Sequence, residues 1–557
     1  MPNTPAIDPI TLEICWKRLE SIVEEMAATL VRTSFSTCVR DLNDYACSLF
    51  DADARLLVQS RDSTPGLCGP LGNMLRHMLT VIPPEDLEDG DVLIGNDPWH
   101  ASGHHNDITV ATPAFHGGRL IGFVMSCAHQ TDIGGRRGTD ECRDNYEEGL
   151  RIPVVKYHRA GEPNREAMAF IHSNVRSADL VLGDLAAQCA ANYVGVQRLG
   201  ELCGEKKWAD VQALGDEMIV RTDKVTRDAI AAVPNGIYEA SAPVMMIGDD
   251  PVVLAVAVHV RNEEIEIDYS ASSPVVARAI NCTRTYTHAY TVFTLSCMLD
   301  LPVSLNEGTL EHLKTKTKPD TILDAQFPAP VNARTNIGTF IPEIIMRALA
   351  PAMPDRAIAG GGGTPLWGQY MSGRRKDGKP FAPLNFSNGG LGGRPGMDGV
   401  SCLAFPTNVG NTPTEILERE VPAVVLRREL WPDSEGPGSY RGGFGQIFGL
   451  KILDGDQGPD GSILMTLRGG RLNKGVPGLL GGGDSLTGRA TLNGEDVDVG
   501  VQFEAKPQDV LECYIPGGGG FGDPLERSRE RVEDDILNGL VDASRAAAVY
   551  GYPLAAE

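Results

Sequence analysis

Nowhere in the 557 residues do about 18 apolar side chains follow one another, and no opening stretch joins a basic end to an apolar run. Neither a membrane-spanning helix nor a secretory leader is therefore expected, and the chain is read as cytoplasmic. Basic residues are in the minority, with 50 Lys and Arg against 74 Asp and Glu and a formal charge of -24. No Lys/Arg stripe is available to follow a phosphate backbone, so nucleic acid is not an expected partner. The twelve cysteines form no C-x-x-C pair. Neither a disulfide framework nor a thiolate zinc site is expected on that ground, and most of the thiols are expected to be small buried hydrophobes. There is no G-x-x-x-x-G-K-[ST] loop, and no G-x-G-x-x-G lies between a clear strand and helix, so no nucleotide site is expected on this chain.

What is present is the composition of an ordinary folded protein, 42% hydrophobic and 22% charged. At 59.7 kDa it is too long for one core. Asp8-Pro9 opens a helix of about 25 residues, because Asp caps free amides and Pro presets the first helical φ; Leu12, Cys15, Leu19, Ile22, Val23, Met26 and Leu30 then recur on one face. Helical patterns also cover 179–203 and 210–233, ended by Gly204 and by Pro234-Asn235-Gly236. Beyond 236 short β-like runs take over, such as 252–260 and 264–270, and from about 380 glycine becomes dense without a fixed period. A last helical stretch is expected over 525–550. The expected architecture is α+β and multidomain: an N-terminal α/β metal-bearing region (1–235), a central α/β domain (236–380), and a glycine-rich β domain with a C-terminal helix (381–557).

Five of the eleven histidines fall between His100 and His129, among several aspartates. Histidine is the commonest metal ligand and the readiest proton carrier near neutral pH. Runs 109–115 and 119–128, joined by His116-Gly117-Gly118, carry a hairpin signal. If Phe115 pairs near Arg119, opposed numbers sum to about 234. His105 then faces His129, Asp107 faces Cys127, and all four share one side of the hairpin. A slip of one residue reverses that choice, and the direction of His104 is not fixed by it. Two imidazoles and a carboxylate suit Zn, Mn or Fe(II) with positions left open for water and substrate. The competing reading is a loop whose polar side chains only fix its own backbone.

The segments DPITLEICWKRLESIVEEM, DYACSLFD, GNDPWHASGHHND, CAHQTDIGG, PVNART, SYRGGFG, IPGGGGFGDP and NGLVDASRAAAVYGY, taken in order, resemble the hydantoinase B family. Chains of this family are shared by ATP-dependent hydantoinases, oxoprolinases and lactamases, and the alpha subunit of acetone carboxylase is a longer relative. The resemblance implies one divalent metal ion held by a His and an Asp three residues apart and a second His about 25 residues after the first, a spacing met by His104, Asp107 and His129. It implies a further ligand at Asp44, with Asp41 as competitor. It prefers His104 where the hairpin register prefers His105, leaving His105 to touch substrate or a ligand. Asp132 is a candidate acceptor for the other ring N–H of His129, or a turn aspartate before Gly134-Gly135. Arg334 meets an anionic intermediate or forms an ion pair.

The implied division of labour pairs this chain, in a hetero-oligomer, with a hydantoinase A-type subunit that carries ATP and Mg and phosphorylates the substrate. This chain then completes hydrolysis of a cyclic amide, or, as the alternative, carboxylation of a ketone of the acetone or acetophenone type.

Overall fold

The computed structural model describes residues 7–136, 138–375, 377–454 and 462–553. Helix Pro9–Thr33 begins as its sequence dictates, with Asp8 accepting from the amides of Ile10 and Thr11. Its buried stripe packs on the long helix Ala178–Lys206 and on one face of a seven-stranded sheet. That sheet contains β1 (Tyr45–Phe50), β2 (Leu56–Gln59), β3 (Val92–Gly95), β4 (Asp107–His116), β5 (Arg119–His129), β6 (Val155–Arg159) and β7 (Glu162–Pro163), in spatial order β2-β1-β5-β4-β3-β6-β7. Helix Leu71–Val81 covers the opposite face through Leu71, Met74, Leu75 and Met78. With both faces covered, β4 and β5 are buried nearly throughout, which is why they read as continuous apolar runs.

β4 and β5 form the expected hairpin, but in a different register. His116 pairs with Arg119 and Phe115 with Leu120, and a bulge then shifts the ladder so that Thr109 faces Cys127 and Asp107 faces His129. His105 lies outside the ladder, so the expected pairs 105/129 and 107/127 do not occur. The stem is displaced by two residues from the expected register. A two-residue shift keeps side chains on their faces, so Asp107 and His129 still point the same way.

A second sheet, of strands Gly236–Ile247, Asp250–Arg261, Glu264–Asp268 and Leu313–Lys316, turns Val252, Leu254, Val256, Val258 and Val260 onto helices Arg284–Leu299 and Ile341–Leu349. Two five-stranded sheets share a core around Trp367, Phe448, Met465 and Ile515. Strand Trp367–Arg374 precedes the expected cut at 380 and pairs with Ile463–Arg468 beyond it. The last helical stretch is two helices, Arg529–Leu537 and Ala543–Tyr550, because Gly539 adopts a positive φ and Asp542 caps a new start.

Between these sheets run glycine ribbons at 359–363, 389–393, 436–443, 478–483 and 516–521. They bond directly to one another: Gly362 N to Gly390 O (2.7 Å), Gly390 N to Pro516 O (3.1 Å), Gly519 N to Gly360 O (2.9 Å) and Gly518 N to Gly443 O (2.9 Å). A Cβ at Gly442 would stand 1.9 Å from Gly518 O, so side chains cannot be accommodated there. Among the described residues no helix is long and apolar enough to cross a membrane.

Candidate metal centre

Three strand ends place the site. β1 pairs with β5 so that Tyr45 faces Ala128, and the amide of His129 donates to the carbonyl of Asp44 (3.0 Å). β5 pairs with β4 so that His129 faces Asp107. Asp44, His129 and Asp107 therefore lie side by side at one edge of the sheet. The loop 96–106 returns His104 to the same edge. Asn96 fixes that loop, donating to the carbonyls of His105 (2.7 Å) and Leu150 (2.9 Å) and accepting from the amide of Ile152 (2.6 Å). Gly103 has a φ of 84°, and a Cβ there would meet Arg334 Cδ at 2.7 Å, so only glycine lets the arginine pass.

His104, Asp107 and His129 offer ligand atoms that all lie within 4.8 Å of one another. Asp107 Oδ1 is 2.7 Å from His104 Nε2 and 2.8 Å from His129 Nδ1. Asp44 Oδ2 is 3.8 Å from His129 Nδ1, and its other oxygen accepts from Thr64 Oγ1 (3.3 Å). Asp41 instead pairs with Arg40 (2.8 Å). Asp107 Oδ2 accepts from Ser102 Oγ (2.6 Å) and from Arg334 Nη2 (2.8 Å). Arg334 also donates to the Ser102 carbonyl and lies over the Tyr286 ring (4.6 Å), so it is the ion pair of the two readings open in the sequence.

The protonation states follow from burial and these partners. Burial disfavours the Asp107 carboxylate, but the His104 imidazole and Arg334 against it, with the hydrogen bond from His129, hold it well below the usual carboxylate range. Burial, reinforced by Arg334, pushes His104 down to about 3. Burial raises the Asp44 carboxyl, with His129 pulling the other way. A neutral His104 places its proton on Nδ1, 3.3 Å from the Asn332 carbonyl, because a carbonyl can only accept. Nε2 is then a lone pair facing a carboxylate oxygen, and it has no hydrogen-bond partner among the described residues. Two electron-rich atoms this close, both buried, fit a shared cation.

His105 does not share this centre. Its Nε2 meets Asn145 Oδ1 (2.9 Å), and its ring lines a separate opening beside Tyr146, Arg151 and Phe327. The substrate-contacting role expected for it has no geometry at the triad, because its ring is held by Asn145 at that separate opening. Asp132 is committed to Arg176, accepting from its amide and from Nη1 (2.6 Å), and also accepts from Gly134 N (3.3 Å). It serves the turn and an ion pair rather than His129, although it lines a small cavity beside that ring.

Two cavities, of about 20 and 40 Å³, flank the triad; His104, His129, Tyr370 and Arg468 line both. Sequence reasoning does not place Tyr286, Tyr290, Tyr370, Glu148 and Arg468 beside the site. Asn332 and Arg334 lie in the PVNART segment, the one signal that marks this wall.

The residues 8–524 match the Hydantoinase B/oxoprolinase family model. The chain is 32% identical to a putative D-/L-hydantoinase B-type subunit of Pseudomonas sp. (strain NS671), over 98% of this chain and 95% of that protein. Its fold matches the crystal structure of an ATP-dependent caprolactamase from Pseudomonas jessenii with a TM-score of 0.87 at 27% identity, covering 99% and 97% of the two chains. It also shares the fold of nucleotide-free acetone carboxylase, with a TM-score of 0.83 at 20% identity over 98% of this chain and 79% of that one. With its end-to-end match and its edge-of-sheet triad, the chain belongs to the hydantoinase B/oxoprolinase family.

Proposed function

We propose that this chain is the metal-dependent subunit of an ATP-dependent cyclic amide hydrolase of the hydantoinase, oxoprolinase or lactamase type, working with a hydantoinase A-type subunit that carries ATP and Mg. The observation that carries the reading is the buried convergence of His104, Asp107 and His129 on Asp107 Oδ1, with Asp44 adjoining.

An unactivated amide resists water because its carbonyl carbon is a weak electrophile and its nitrogen leaves poorly. The partner moves a phosphoryl group from ATP onto the amide oxygen. One water adds to the carbon, the C–N bond breaks and nitrogen takes a proton, giving an acyl phosphate. A second water then releases carboxylate and inorganic phosphate. His104, Asp107, His129 and Asp44 would hold one divalent ion of the Zn, Mn or Fe(II) type, which when bound supplies Lewis acidity towards water or a substrate oxygen. Arg334 fixes the Asp107 carboxylate and keeps it ionised. The Asn332 carbonyl holds the His104 proton on Nδ1, leaving Nε2 as the donor atom. Tyr286, Tyr290 and Leu366 wall the larger cavity and restrict water.

His129→Ala tests the reading. The fold should survive, since the ring ends a strand, while bound metal falls from stoichiometric to background and turnover with the partner is lost. Unchanged metal content with full activity would remove the centre. Ketone carboxylation is the alternative chemistry for the same fold; fixation of labelled bicarbonate with ATP and a ketone, and no ring opening of any cyclic amide, would replace the hydrolase reading.

A further inference from the structure

Arg468 ends strand Ile463–Arg468, far along the chain from the triad, and is 6% exposed. Four described arginines of this region have carboxylates: Arg334 with Asp107 (2.8 Å), Arg176 with Asp132 (2.6 Å), Arg136 with Glu141 (3.1 Å) and Arg278 with Asp140 (2.5 Å). Arg468 has neutral partners instead. Its Nε donates to the Gly138 carbonyl (3.0 Å), its Nη1 donates to Tyr370 Oη (3.0 Å), and the guanidinium lies over the Tyr370 ring (4.7 Å). Glu148 feels its charge but does not pair with it. Both Glu148 oxygens are taken, by the amides of Val331 (2.6 Å) and Asn332 (2.7 Å) and by Asn145 Nδ2 (2.7 Å).

A buried guanidinium without an anion is costly, and Nη2 carries no hydrogen bond among the described residues. The cavity of about 40 Å³ that Arg468 shares with His104 and His129 holds a second unused donor. Thr407 lines it, 3% exposed, and its Oγ1 has no hydrogen-bond partner among the described residues. Planar guanidinium forks and hydroxyls are the donors that suit phosphate oxygens. Neither donor belongs to the metal triad.

Resting on the reading above, we propose that Arg468, with Thr407, is the receptor for a tetrahedral phosphate oxyanion beside the metal centre, either the phosphoryl group of the activated amide or the inorganic phosphate it releases. Nε and Nη1 anchor the guanidinium to Gly138 and Tyr370, and Nη2 points its charge at the anion. The receptor thus discriminates phosphorylated from unphosphorylated substrate.

The test titrates inorganic phosphate into the purified chain by calorimetry, with metal content measured on the same samples, for wild type, Arg468→Gln and Arg468→Lys. Arg468→Gln should weaken phosphate binding by roughly tenfold or more, which is one step of 1.4 kcal/mol on the affinity scale, and Arg468→Lys by less. In complex with the ATP-using partner, Arg468→Gln should raise ADP formed per ring-opened product if the receptor holds the phosphorylated amide. Unchanged coupling with lost phosphate affinity assigns the receptor to released phosphate. A wild-type chain that takes up no phosphate at tens of millimolar overturns the proposal. So does a folded Arg468→Gln or Arg468→Lys protein that melts lower but binds phosphate as wild type does, since that is the behaviour of a structural clamp. A chain that binds phosphate through Arg468 but holds no metal would instead sink the metal centre and keep the receptor.

Discussion

Asp107 is asked to do two things at once, because one oxygen faces the two imidazoles and the other neutralises Arg334. Replacing it should therefore cost more than replacing His129. Asp107→Asn leaves Arg334 buried with no anion, a loss of about 3–5 kcal/mol, so it should lower both metal content and the chemical-denaturation midpoint, whereas His129→Ala lowers metal content alone. Glu148 gives a pH signature of its own. Burial raises it to about 7, against hydrogen bonds from Asn332, Asn145 and Val331. A folded-state value above the unfolded 4.5 means that the native state binds this proton more tightly, so the contribution to stability is complete below about 4.5 and lost as pH rises through 7. The stability of wild type relative to Glu148→Gln should fall steadily across that window in thermal melts; a difference independent of pH would contradict the assignment. At this scale the sequence is informative for the candidate ligands and silent for their supports. The hairpin pattern marks Asp107 and His129 as candidates, the choice of His104 over His105 comes from the family resemblance alone, and nothing local in MTLRGG tells that Arg468 reaches the same cavity.

Strand ends, more than single residues, build the centre. The hairpin is legible from its apolar runs and its His-Gly-Gly turn, but the bulge between Ala114 and Phe115 is not, because bulges answer to pairing with neighbours that a local pattern does not contain. Face alternation survives this because the displacement is even. Gly122 follows from the same pairing: a Cβ there would meet Phe50 O at 2.4 Å, on the β1 side of β5. Gly122→Ala should push β5 from β1, lowering stability by about 1–3 kcal/mol as overpacking does, and should reduce metal stoichiometry because His129 and Asp44 ride on those two strands. Gly200, in helix Ala178–Lys206, has nothing within 4 Å of an added Cβ, and Gly200→Ala should stabilise by about 0.5–1 kcal/mol. Differential scanning calorimetry of the pair separates the two kinds of glycine.

Over the whole molecule, helix and strand content and the switch near residue 236 can be read from periodicity, while the glycine-rich third cannot. Each ribbon is only a few residues long and its partners come from distant segments, so no repeat appears along the chain. Glycine is required there because backbones touch: a Cβ at Gly518 would lie 2.1 Å from Leu391 O. Gly518→Ala is expected to yield insoluble chain rather than a weakened enzyme, as expression and sedimentation would record.

The way these ribbons interlock also sets an order of events during synthesis. Gly390 and Gly393 wait for Pro516 and Gly519, and Gly360 accepts from Gly519. The amides of Gly390 and Gly393 therefore emerge from the ribosome bound only to water until 516–521 follows. The wall bearing Tyr370 and Arg468 can settle over the sheet edge only afterwards, so a nascent chain halted between residues 468 and 516 would carry Asp44, His104, Asp107 and His129 yet lack their finished enclosure.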